Sequence, residues 1–263
     1  KSYFSPISSK DFKSIEKQFV RKENPEAISQ TDFFKNQTVE NQESLIHFYD
    51  KGYTVIRNFI TPEEADQINS EIQAMLDNKQ IEFKYGNKLM FALHKSALIK
   101  KIGLEPSLLK LLDVLMDGKT KLFQSINFIN GSQQKTHSDS IHMTTFPLGG
   151  LIGVWIALED VQADQGALHY YPGSHKLPYY MNSDYDNDGD SIMLGNKGYK
   201  GYEVMLEEKI KELNLQKEVF ECKKGDMLIW HANILHGGEP HTNKEKTRKS
   251  MVFHFFEDRK SVV

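Results

Sequence analysis

Cysteine is all but absent. One residue, Cys222, in a chain of 263 leaves no partner for an internal disulfide, which excludes a stapled secreted scaffold and fits a reducing compartment. Long apolar runs are missing too: no stretch approaches the ~18 residues a membrane-spanning helix needs. The opening Lys1-Ser2-Tyr3-Phe4-Ser5-Pro6 holds no apolar core of a secretion signal, so a cytoplasmic location is expected. Nor is there an excess of one charge. With 33 basic and 36 acidic residues the chain offers no strong field to nucleic acid or an anionic membrane, and neither is expected as a partner. What remains is a chain long enough to bury a large core in one domain, as all-β barrels and sandwiches of this length often do.

Two hydrophobic periods divide the sequence. A helical period marks Ser9 to Val20 (Phe12, Ile15, Phe19) and the short stretch Glu43 to Lys51, which ends at Gly52. Tyr53 to Phe59 reads as a strand. Thr61-Pro62-Glu63-Glu64 is then a helix start: Thr61 as N-cap, Pro62 at the first helical position, Glu64 closing a capping box. Ala65, Ile68, Ile72 and Met75 carry that helix to about Asn78, and Glu105 to Met116 forms another. After Gly118 the period becomes two. Strands are predicted at 121–130, 136–139, 150–159, 167–171, 218–222, 226–231 and 248–256, separated by turn signals such as Asn130-Gly131, Pro172-Gly173 and Lys224-Gly225. Many short strands behind a helical preface predict a mainly β fold, a sandwich or jelly roll flanked by α-helices.

Within this frame, Thr136-His137-Ser138-Asp139 is the segment richest in chemistry. Residues two apart on a strand share a face, so His137 and Asp139 can aim an imidazole and a carboxylate at one point. His236, from a later strand, supplies a second imidazole. Two histidines and a carboxylate are the ligand set of non-haem Fe(II) oxygenases and leave coordination positions open. Arg248 suits the far carboxylate of an acidic co-substrate, because a planar guanidinium pairs with it in two places. Ser250, two residues on along the same strand, can support that carboxylate with its hydroxyl. On the strand through Leu151 to Glu159, Trp155 shares a face with Gly153 and Ala157, and small neighbours beside a large ring leave space for a ligand. His231 reads as a wall residue, His142 as facing substrate or a loop, and His254 as an inward, hydrogen-bonded core histidine. Should Arg248 not bind the co-substrate, Lys95 is the next cation to consider.

From about Gly52 to Phe256 the ordered motifs resemble the phytanoyl-CoA dioxygenase family of Fe(II)- and 2-oxoglutarate-dependent oxygenases. They are Gly52-Tyr53-Thr54-Val55-Ile56, Thr61-Pro62-Glu63-Glu64, His137-Ser138-Asp139, Val154-Trp155-Ile156-Ala157-Leu158, Gln165-Gly166-Ala167-Leu168, Pro172-Gly173-Ser174-His175 and Gly225-Asp226-Met227-Leu228-Ile229-Trp230-His231. His236-Gly237-Gly238 and Arg248 close the set. The resemblance implies a double-stranded β-helix, the cupin-like jelly roll, with His137, Asp139 and His236 as iron ligands. It assigns Arg248 to the distal carboxylate of 2-oxoglutarate, Trp155 to the lining of that pocket, and Gln124 to a polar position facing the co-substrate. It also implies dioxygen as co-substrate and ascorbate as an accessory reductant. One position departs from the pattern: Gly238 stands where the family often carries a small hydroxyl residue.

The implied activity is hydroxylation of a small organic substrate with release of succinate and carbon dioxide. A halogenase would lack the carboxylate that Asp139 provides, a metal- or sugar-binding jelly roll would not need Arg248, and a cupin-type isomerase would carry more histidines. His142, Thr144, Thr145 and Tyr179 suggest a polar substrate. Residues 1–41 read as a polar extension packed on the core, and residues 42–263 as one oxygenase domain with a polar insert at 179–201. Asp184 to Asp190 resembles the start of a calcium loop, but Gly195 occupies the place of the bidentate Glu. The insert is therefore expected to act as a mobile lid. The sequence does not specify an oligomeric state.

Overall fold

The computed structural model describes residues 19–185 and 199–258. Two antiparallel sheets face each other. Four long strands, β4 (Thr120–Phe128), β5 (Leu151–Ala157), β8 (Met227–His231) and β10 (Ser250–Glu257), form the middle of the larger sheet. With β1 (Tyr53–Ile56), β2 (Phe83–Lys84) and β3 (Lys88–Met90), its order is β1-β8-β5-β10-β4-β3-β2. The smaller sheet orders β7 (Glu218–Phe220), β6 (Leu168–Tyr170) and β9 (His236–Gly238) as β7-β6-β9. Its open edge is extended by an antiparallel bridge between His137 and His236. This is the mainly β, double-stranded β-helix that the sequence predicted.

The period of two explains the layering. On β10, Met251, Phe253 and Phe255 point outward, as Ile152, Val154 and Ile156 do on β5, into a core shared with the helices. Each such side chain, fully buried, contributes roughly 1.5–3 kcal/mol. The helices of that layer are α1 (Val39–Lys51), α2 (Pro62–Asp77), α3 (Ala97–Gly103) and α4 (Pro106–Leu115). Alternate residues point the other way: Trp155, Ala157, Trp230 and Val252 meet Leu168, Tyr170 and Phe220 of the small sheet in a second, inner cluster.

Local chemistry fixes the element ends. Thr61 accepts from the Glu64 amide at 3.2 Å, and the Glu64 carboxylate accepts from the Thr61 amide at 3.1 Å, completing the capping box that the sequence predicted. The helix expected from Glu43 starts earlier, at Val39, because Thr38 caps it. The boundary drawn between residues 41 and 42 falls inside this helix. Strand β1 stops at Ile56 rather than running to Phe59: Asn58 adopts φ 52°, and the amides of Phe59 and Ile60 turn to the Gly225 carbonyl.

Two further expectations change. Thr136–Asp139 is not a strand; only residue 137 pairs, and Asp139 opens a single 3-10 turn, Asp139–Ile141. Residues 199–201 of the supposed insert begin an unforeseen helix, α5 (Tyr199–Glu212). Residues 9–18 of the first predicted helix, and residues 186–198 with most of the acidic loop and lid, lie outside the described residues; Val20 itself bridges to Leu148 rather than being helical.

Candidate active site

His137 and His236 sit opposite each other across the bridge that extends the small sheet, bonded amide to carbonyl in both directions at 2.8 and 2.9 Å. That pairing places both imidazoles on the inner side. The 3-10 turn then swings Asp139 back toward them. Asp139 Oδ1 lies 3.8 Å from His137 Nε2 and 3.6 Å from His236 Nε2. The three ligand atoms all fall within 4.8 Å of one another, and all three residues are buried.

Backbone carbonyls decide which ring nitrogen faces inward. His137 Nδ1 lies 2.8 Å from the Lys135 carbonyl and His236 Nδ1 lies 3.0 Å from the Ile234 carbonyl. A carbonyl can only accept, so each Nδ1 carries the proton and each Nε2 presents a lone pair to the shared point. Burial, reinforced by His236, holds His137 well below the usual histidine range, so its ring is neutral. Burial alone would raise the Asp139 carboxyl, but the neighbouring His236 and His254 hold it low. Two imidazoles and one carboxylate form a donor set suited to a divalent transition metal, so the residues fit iron(II).

The second half of the site lies on β4, β5 and the segment entering β10. Arg248 is 1% exposed. Its Nε donates to the Gly166 carbonyl at 3.1 Å and its Nη1 to Ser250 Oγ at 2.7 Å. The guanidinium carbon stands 5.7 Å from the ring centres of both Phe128 and Trp155. Burial pulls it down to about 10, and it remains a cation at neutral pH. No carboxylate among the described residues pairs with it. Gly131, at φ 69°, lets the backbone press against this group; a Cβ there would lie 2.7 Å from Arg248 Nε.

A cavity of about 520 Å3 joins the two halves. His137, Asp139, His236, Arg248, Gln124 and Trp155 all line it, and Ser250 reaches it through Arg248. His142 lines its outer part and approaches the Tyr199 hydroxyl at 3.0 Å. Four sequence candidates are elsewhere. Thr144 and Thr145 donate to the carbonyls of Ser140 and Pro147, Tyr179 lines a separate cavity, and Lys95 is exposed outside the site. His231 faces away, its Nδ1 accepting from the Asn233 amide and its Nε2 lying 3.2 Å from Glu23, as a wall residue would.

Sequence reasoning missed two participants, Lys88 and Trp230. Lys88, half-buried on β3, lines the cavity, and burial lowers it against the pull of Asp139. Trp230 donates its indole N–H to Asp139 Oδ2 at 2.8 Å. Gly153 does not leave space for a ligand; the space is filled by the Trp230 ring, which a Cβ at 153 would overlap. The signal was a glycine directly opposite a tryptophan in the β5–β8 register, visible only once the strands are paired. Gly238 likewise has no room for a side chain: its Cβ would meet the Gln133 amide at 2.9 Å and Ser132 Oγ at 3.1 Å.

Similar proteins are found both by sequence and by fold. Phytanoyl-CoA dioxygenase domain-containing protein 1 of Danio rerio is 22% identical over 273 residues, covering 82% of this chain and 89% of the relative. The homolog from Dictyostelium discoideum is 22% identical over 274 residues, covering 84% and 93%. Among solved structures, the non-heme alpha ketoglutarate dependent epimerase SnoN from nogalamycin biosynthesis superposes with a TM-score of 0.62 at 16% identity, covering 82% of each chain. EctD from S. alaskensis with 2-oxoglutarate and 5-hydroxyectoine gives 0.65 at 13% identity, covering 91% of this chain and 83% of that one. These two likenesses show a shared fold. The model of the phytanoyl-CoA dioxygenase (PhyH) family matches residues 48–250, a span that holds His137, Asp139, His236 and Arg248, and the chain belongs to that family.

Proposed function

We propose that this chain is an iron(II)- and 2-oxoglutarate-dependent oxygenase that hydroxylates a small organic molecule. The observation that carries the reading is a buried guanidinium without a carboxylate partner among the described residues, facing the same cavity as three converging metal donors. A buried cation without a counter-charge is costly, and a dicarboxylate ligand would offset that cost. When bound, iron(II) with 2-oxoglutarate supplies activation of dioxygen, ending in succinate, carbon dioxide and oxidation of a C–H bond.

The chain's own residues do the rest. His137, Asp139 and His236 would hold the metal from one side and leave the cavity side open. Arg248 would take the distal carboxylate of 2-oxoglutarate; Ser250 Oγ already accepts from Nη1, so its own proton is free to be donated to that carboxylate. Trp155 and Phe128 flank the guanidinium and exclude water, which strengthens the charge pairing. Lys88 adds a second positive charge to a cavity that must accept a dianion. Asp139 favours hydroxylation over halogenation, because the carboxylate occupies the position a halide would need.

Ser132, Gln134 and His142 line the outer cavity with Met90, Ile126 and Met143, which suits a small substrate with a polar face. The oxygenase domain in this reading takes in the whole of α1, with the residues before it packed on the domain, in line with the burial of Ile28 in the main core. No helix among the described residues is long and apolar enough to cross a membrane.

The test is succinate formation by the Fe(II)-loaded protein with 2-oxoglutarate, screened against metabolite pools. Some pools should raise succinate release, and His236→Ala should abolish it. A protein that binds iron at this site but yields no succinate with any pool would be a binding module instead.

A further inference from the structure

The two oxygens of Asp139 have different neighbours. Oδ1 faces His137 and His236 at 3.8 and 3.6 Å. Oδ2 accepts from the Trp230 indole at 2.8 Å and lies 3.5 Å from His254 Nε2. We propose that Trp230 is the positioning residue of the metal site: its N–H engages Oδ2, so that Oδ1 alone is presented to the metal and the carboxylate binds through one oxygen.

The arrangement is built across three strands. Gly153 on β5 lies opposite Trp230 on β8 and opposite His254 on β10. The central position of this row has no side chain, and the indole lies over it; any Cβ there would overlap the ring. Trp230 and Asp139 are 3% and 4% exposed, so solvent does not compete for the bond. The ring also packs 5.1 Å from His236, centre to centre, which limits its freedom to rotate away. A hydrogen bond to the outer oxygen of a ligating carboxylate fixes the carboxylate's rotation and therefore its coordination mode.

This inference rests on the metal reading above. The test is Trp230→Phe, which keeps the ring and removes only the donor. Calorimetric titration with Co(II) should show affinity weakened about 10- to 100-fold, and the Co(II) visible spectrum should change as the freed carboxylate rotates toward two-oxygen coordination. Gly153→Ala, which displaces the indole, should move both readings in the same direction. Thermal melting of the metal-free proteins separates a loss of fold from a loss of positioning. Unchanged Co(II) affinity and spectrum in Trp230→Phe, whatever its melting temperature, overturns the assignment of Trp230. If the parent protein's Co(II) binding is instead insensitive to His137→Ala, the metal reading fails first.

Discussion

Arg248 is the residue whose role is most separable from the metal. Its hydrogen bonds go to a carbonyl and a hydroxyl, and its face is covered by two aromatic rings, so its charge is desolvated without being neutralised. Arg248→Leu should therefore weaken 2-oxoglutarate binding strongly while leaving metal affinity nearly unchanged. Removing one side of a buried charged pair costs about 2–5 kcal/mol, a loss of roughly 30-fold or more. Titration of the metal-loaded variant with 2-oxoglutarate checks this, and an unchanged dissociation constant would hand the role to Lys88, the other cation of the cavity. The convergence of His137, Asp139 and His236 on one point, and of Arg248 on the same cavity, was legible in the sequence because residue type and order carry their chemistry. Trp230 was not, because its meaning depends on Gly153, 77 positions earlier, and nothing local to either residue announces the pairing.

At the scale of elements, α5 holds the turn that carries Asp139 in place. Tyr202 is fully buried on this helix, and its hydroxyl accepts from the Ser138 amide and bonds Ser138 Oγ, both at 3.1 Å. Ser138 stands between His137 and Asp139, where the predicted strand gives way to a 3-10 turn and the amide has no ladder partner. Tyr202→Phe would leave that buried amide unsatisfied, which costs about 1–3 kcal/mol. The urea midpoint should fall accordingly, and iron affinity with it, because the turn that aims Asp139 loosens. A midpoint equal to the parent's would mean the turn is held by its own backbone bonds alone. The element boundaries that the sequence placed well are those with local signals: the Thr61 capping box, the period-two runs of β4, β5, β8 and β10. Helix α5 was overlooked although Tyr202, Leu206 and Ile210 have helical spacing, since Gly201 and the polar stretch before it extended the apparent loop. The hairpin of β2 and β3 is too short to show a period at all.

For the molecule as a whole, one junction ties the helical layer, the large sheet and the segment before α1. His175 lies at its centre, 6% exposed, with Nε2 3.0 Å from the Tyr49 carbonyl of α1. Gly52, which ends α1 at φ 85°, packs its Cα against the His175 ring so closely that a Cβ would overlap it. His231 of β8 stands 5.5 Å away, ring centre to ring centre, and its Nε2 meets Glu23 at 3.2 Å. Burial first, and the neighbouring His231 second, push His175 down to about 4, against the opposing pull of the Tyr49 carbonyl and Glu23. The folded protein thus holds this ring neutral where the unfolded chain, with an ordinary histidine near pH 6.5, takes up a proton. The stability it contributes is complete above about pH 6.5 and is lost as the pH falls toward 4, by an amount on the order of 3 kcal/mol for a shift of this size. Denaturant unfolding followed from pH 7 to pH 4 should show that decline. In His175→Gln, which keeps an N–H donor for the Tyr49 carbonyl but cannot titrate, the decline should be visibly shallower even if the variant is less stable at pH 7. An equal slope in the two proteins would place the acid sensitivity of the junction elsewhere, with the His231–Glu23 pair as the next group to replace.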